Sequence, residues 1–169
     1  MVALGFLAVV LYWTLVSRRE GRPAGYASDL AFWIIAGGIL GARAAYVLLN
    51  LDYYAANPVE VLMIQHGGLV FYGGLLGGAC AVLILAALRR ESRWQLGDFV
   101  LSGLPLGHAL GRIGCFLNGC CYGRPAGNAP GVVFPSGSPP ADHYGCIALH
   151  PAQLYETGLD LVLFALLAA

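Results

Sequence analysis

The chain has 169 residues, 59% of them hydrophobic and 11% charged, and its nine basic side chains balance nine acidic ones. Mean hydropathy is +0.72. A soluble domain carries about 25% charged residues, so these figures exclude a water-soluble globular domain, a disordered chain and a nucleic-acid binder, which needs a basic excess. A multi-pass membrane protein remains.

A span needs about 20 apolar residues. Met1–Val16 is uncharged but short by that measure. Leu30–Leu51 has 22 residues and one charge, Arg43; Gly67–Leu88 has 22 and none. Phe99–Cys121 has 23 residues and one charge, Arg112. Thr157–Ala169 is a 13-residue stub containing Asp160. The pattern predicts an all-α polytopic membrane helical bundle with four spans and the start of a fifth, in a single transmembrane domain over residues 1–169. No basic region precedes the first apolar run, so no secretory signal is expected. The chain opens and closes inside apolar segments and reads as part of something longer.

Every basic residue is an arginine. Arg18, Arg19 and Arg22 fall in the first loop and Arg89, Arg90 and Arg93 in the third; the second loop has none and the fourth only Arg124. The positive-inside rule makes loops one and three cytoplasmic and places loops two and four outside. Loop four, with Pro125, Pro130, Pro135, Pro139 and Pro140, is expected to be irregular. Gly103/Gly107/Gly111, Gly37/Gly41 and Gly74/Gly78 have the small-xxx-small spacing that lets helices approach closely in lipid.

Arg43 and Arg112 need a reason, because a charge inside a span costs a few kcal/mol even on the gentlest scale. One reading is a structural ion pair, with Asp98 or Asp29 as the acid. The other is an anion site opening to the outer leaflet, since a guanidinium offers phosphate a planar fork. His108 lies four residues before Arg112 on the same helical face. His66 and His150 fall at outer helix ends, and Tyr72 and Tyr155 could add hydroxyls. Cys115, Cys120, Cys121 and Cys146 fall at or near the outer face. Disulfides, free thiols and a metal site all stay open for them; the spacing C-x4-C-C is not a standard zinc pattern. No GxSxG, Walker A or HExxH is present, which argues against a serine hydrolase, a P-loop enzyme and a zincin.

Three blocks, GGILGARAAYVLLN (37–50), HGGLVFYGGLLGG (66–78) and GRIGCFLNGCCYGRP (111–125), followed by HPAQLYE (150–156), resemble the prolipoprotein diacylglyceryl transferase family. The third is similar to the family signature G-R-x-G-N-F-x-N-x-E-x-x-G, with Gly111, Arg112, Gly114, Phe116, Asn118 and Gly123 in register. Cys115 stands where the signature has Asn, and Cys120 where it has Glu. The resemblance implies transfer of a diacylglyceryl group from phosphatidylglycerol to the lipobox cysteine of a preprolipoprotein signal peptide, with glycerol phosphate released. It implies a bacterial inner-membrane enzyme, active toward the periplasmic face, with no cofactor, no metal and no nucleic-acid partner. By the same resemblance, Arg112 meets the head-group phosphate, Arg43 is a second cationic site residue, and Asn118 and Gly123 line the signature loop. The family's functional histidine falls at Tyr72, so His66, Tyr72 and His150 are the candidate bases. A transporter or channel fragment with an anion site, and a thiol-redox protein using Cys120 and Cys121, are the competing readings.

Overall fold

The computed structural model describes residues 1–168. The order is α1 (Val2–Arg19), α2 (Tyr26–Leu49), α3 (Leu51–Ala56), two 3-10 turns (Pro58–Leu62 and Ile64–His66), α4 (Phe71–Arg89) and α5 (Arg93–Leu117). Then come β1 (Val132–Val133), α6 (Pro139–Tyr144), β2 (Ala148–Leu149) and α7 (Ala152–Ala168). The fold is all-α apart from the two short strands. Four helices, α1, α2, α4 and α5, are long and apolar enough to cross a membrane. Their large apolar side chains are mostly outward; Leu40, Leu88 and Leu117 are each about two-thirds exposed or more, as suits surfaces solvated by lipid tails.

The helix limits differ from the apolar runs for local reasons. Gly67 and Gly68 take φ of +84° and +78°, so span three begins at Phe71 and not at Gly67. Span four begins six residues earlier than expected, at Arg93, and stops at Leu117 because Gly119 has φ +68°. Cys120 and Cys121 therefore lie beyond the helix. The last helix starts at Ala152 and not at Thr157, which makes Gln153 and Glu156 helical.

The chain falls into two compact units, Thr14–Phe99 and Met1–Trp13 with residues 100–168. In the first, α2 packs against α4 through glycines. A Cβ on Gly77 would sit 2.2 Å from the Gly37 carbonyl oxygen, and one on Gly41 would sit 2.4 Å from that of Gly73. The seam thus uses Gly37 and Gly41 against Gly73 and Gly77, one position away from the expected Gly74/Gly78 pair. At the arginine-rich end, Arg22 pairs with Glu20 at 2.6 Å and Glu91 at 3.2 Å, and Arg89 pairs with Asp29. The Tyr26 hydroxyl, which also meets Arg22, donates to Glu91 at 2.5 Å.

In the second unit, Gly103 and Gly107 of α5 take Trp13 and Val9 of α1 against their bare backbones. Gly111 has open space beside it. Loop four is irregular, as expected, but carries a small scaffold. β1 and β2 pair antiparallel with Val132 opposite Leu149 and Val133 opposite Ala148. The Gly123 N–H donates to the His150 carbonyl at 2.9 Å, and the His150 N–H donates to the Arg124 carbonyl at 3.0 Å.

Candidate functional site

Arg43, in α2, is buried at 6% exposure, yet among the described residues no carboxylate meets it. All five of its N–H donors are spent on backbone carbonyls. Nε donates to Val61 at 2.9 Å, and Nη1 donates to Gly67 at 2.7 Å and Gly68 at 3.1 Å. Nη2 donates to Glu60 at 2.5 Å and Met63 at 3.3 Å. Neither Asp98 nor Asp29 is its partner; Asp29 is taken by Arg89. The turn region 60–68 is thus wound around one guanidinium, whose positive charge no bound acid cancels.

A cavity of about 510 Å³ opens beside this charge, lined by Arg43, Tyr46, Tyr53, Tyr54, Glu60 and His66 among others. The structure therefore brings Arg43 and His66 to one cavity. The Tyr53 hydroxyl donates to Glu60 at 2.6 Å, and this bond to the carboxylate holds the Tyr53 phenol above its ordinary pKa. Tyr72 sits in the first turn of α4, 72% exposed, with its ring edge-on to Phe71.

In the other unit, α7 turns a polar stripe toward α5. Gln153, Glu156, Thr157 and Asp160 recur at helical spacing on one face. Glu156 pairs with Arg112: Nη2 donates to Oε1 at 2.8 Å, and Nε lies 2.7 Å from Oε2 without hydrogen-bond geometry. Arg112 stands five residues from the end of α5, about 7.5 Å along the helix axis. Glu156 thus takes one of its five donors, and the buried Nε–H has no hydrogen-bond partner among the described residues. One turn deeper, His108 Nδ1 lies 2.7 Å from Asp160 Oδ2. In a neutral imidazole, an acid at Nδ1 favours the proton there and leaves Nε2 as the acceptor. Thr157 Oγ1 donates back to the Gln153 carbonyl at 2.8 Å, and the Gln153 amide nitrogen donates to the Cys120 carbonyl at 2.6 Å.

The remaining expected residues belong to the loop that follows α5. His150 Nδ1 is 3.1 Å from the Tyr155 hydroxyl. A Cβ on Gly123 would fall 2.8 Å from the His150 carbonyl oxygen, so only glycine lets the signature loop approach this close. Asn118 follows the last helical residue and hydrogen-bonds the Cys120 sulfur. Burial raises the Cys120 pKa, but hydrogen bonds from Asn118 and the neighbouring thiols outweigh it, and the net shift is downward. Among the described residues all five cysteines are free thiols, so the disulfide reading is not realised. Cys146 Sγ instead faces Ser136 Oγ at 3.5 Å. A last helix that starts at Thr157 leaves Gln153 and Glu156 off it, whereas the start at Ala152 puts Gln153, Glu156, Thr157 and Asp160 on one face.

The family model of prolipoprotein diacylglyceryl transferases matches residues 1–169. The chain belongs to this family. Similar relatives are the phosphatidylglycerol–prolipoprotein diacylglyceryl transferases of Rhodospirillum centenum, 44% identical over 97% of this chain and 59% of that protein, and of Rhodospirillum rubrum, 41% identical over 97% and 60%. That of Fusobacterium nucleatum is 33% identical over 97% of this chain and 69% of its own length. The chain thus spans roughly 60–70% of the length of these family members.

Proposed function

We propose that the chain carries the phosphate-gripping part of an enzyme that transfers the diacylglyceryl group of phosphatidylglycerol to the lipobox cysteine of a preprolipoprotein signal peptide. The observation that supports this most is the Arg112–Glu156 pair. A guanidinium inside a span is oriented by an ion pair with one hydrogen bond and keeps a buried Nε–H without a partner among the described residues. The sulfur of the lipobox cysteine attacks the glycerol carbon bonded to phosphate oxygen. A carbon–sulfur bond forms, the carbon–oxygen bond breaks, and glycerol phosphate leaves with the bonding electrons. Arg112 meets the charge that develops on the departing phosphate, where a preset donor stabilises the transition state most.

The thiol must lose its proton to become a nucleophile. His66, Tyr72 and His150 are candidates from the resemblance, and His108 joins them because Asp160 leaves its Nε2 as acceptor one turn below Arg112. Arg43 is a positioning residue in this reading: it holds the turns that carry His66, and it contributes positive potential to their cavity. Asn118 and Gly123 set the path of the signature loop. The arginine-rich loops face the cytoplasm of the bacterial inner membrane, and the signature loop faces the periplasm, as the distribution of loop arginines supports.

The test uses the complete protein in proteoliposomes with phosphatidylglycerol labelled in its acyl chains and a lipobox peptide. Label should enter the cysteine peptide as a thioether and leave the serine counterpart unlabelled. Equal labelling of both peptides, or none of either with folded protein, overturns the reading.

A further inference from the structure

We infer that Cys115, Cys120 and Cys121 form a binding site for one thiophilic d10 metal ion, with Zn(II) as the reference ion. Their sulfurs all lie within 4.8 Å of one another. The helix terminus brings them together. The Cys120 N–H donates to the Cys115 carbonyl at 3.0 Å, and the Gly119 N–H donates to the Phe116 carbonyl at 3.1 Å. With Gly119 left-handed, these two bonds make a Schellman cap. That cap places the side chain of the third-last helical residue against the side chain two positions past the cap residue, a contact that is usually apolar. Here the two positions hold Cys115 and Cys120, so the spacing C-x4-C is the geometry of the cap itself.

Cys121 completes the set. It takes φ +59°, a left-handed conformation uncommon for a residue with a Cβ, and this fold keeps its sulfur with the other two. Three sulfurs 4.8 Å apart have a common centre about 2.8 Å from each, and a Zn–S bond is about 2.3 Å. Closing on an ion therefore needs an inward shift of about half an ångström, within reach of small side-chain rotations. Cys115 and Cys120 are half-buried and Cys121 is exposed, so the ion has an approach from solvent and a fourth position open to it. Thiolates favour Zn(II) and Cu(I) over magnesium or calcium. On binding, three thiols release their protons and the ion ties the last turn of α5 to the loop that leads to Gly123. The inference is independent of the transfer reaction.

Complete protein in detergent, reduced with a phosphine and stripped of metal, would be titrated with Co(II). The expected result is sulfur-to-cobalt charge-transfer absorption at one ion per chain, displaced by Zn(II). It should disappear in Cys115→Ser and Cys120→Ser and persist in Cys80→Ser and Cys146→Ser. A second measurement guards against misfolded variants: Zn(II) added to the unmutated protein should protect Cys115, Cys120 and Cys121 from alkylation while Cys146 still reacts. Absence of charge transfer with all five thiols free, or equal alkylation with and without Zn(II), overturns the site. So does a disulfide between any two of the three in protein isolated without oxidant.

Discussion

Replacing Arg43 separates a positioning role from a direct grip on substrate. Arg43→Ala removes five charge-assisted donors from the carbonyls of Glu60, Val61, Met63, Gly67 and Gly68. A hydrogen bond to a charged group is worth about 1.5–3 kcal/mol. The five do not sum, because Gly67 is exposed and the other four carbonyl residues are half-buried, so water recovers part of the loss. A net cost of about 3 kcal/mol for the 60–68 region follows. At 1.4 kcal/mol per tenfold, the open form of this loop becomes roughly 100-fold more populated. Proteolysis in detergent reads that population directly when opening is faster than cleavage, and cleavage within 60–68 should accelerate by about that factor. Arg43→Lys keeps the charge but offers three donors in place of five, so its rate should fall between the two. An alanine variant cleaved no faster than the parent, yet with a raised KM for phosphatidylglycerol, would refute the positioning role and make Arg43 a direct ligand.

Gly77→Ala should force α2 and α4 apart, because its Cβ would lie 2.2 Å from the Gly37 oxygen. A loss of roughly 1–3 kcal/mol should appear in detergent denaturation, whereas Gly158→Ala, with open space beside it, should cost nothing. In metal-free protein the alkylation rate of Cys120 should reach half its maximum below pH 9.0, the unperturbed thiol value from which its pKa is lowered. The sign follows from its lowered pKa: the thiolate persists as pH falls, and a half-rate pH at or above that value would contradict it. A membrane-impermeant thiol reagent on intact cells should reach Cys146; labelling of a cysteine placed at Arg90 instead would invert the topology.

Hydropathy alone revealed four spans, because membrane helices announce themselves by length and absence of charge. The resemblance in 111–125 pointed to the family. The partners of Arg43 and Arg112 are hidden in the sequence. Arg43 binds carbonyls, and carbonyls leave no trace in a residue pattern. Glu156 is 44 positions from Arg112, and their meeting depends on where α7 begins, which Pro151 and the β1–β2 pairing decide. The glycine seam slipped by one position because Gly73, Gly74, Gly77 and Gly78 offer two registers with the same spacing. The convergence of Cys115 and Cys120 was legible in principle, since Gly119 between them is the residue a Schellman cap requires.

The most direct test of the account is Arg112→Lys in the complete protein, with transfer rate and thermal stability in detergent measured together. Lys keeps the positive charge beside Glu156 but loses the planar fork. The account predicts a folded protein of near-normal stability whose transfer rate falls at least about 100-fold, the scale of losing one transition-state donor. A folded Lys variant with a near-normal rate would contradict it and leave Arg112 as the structural partner of Glu156.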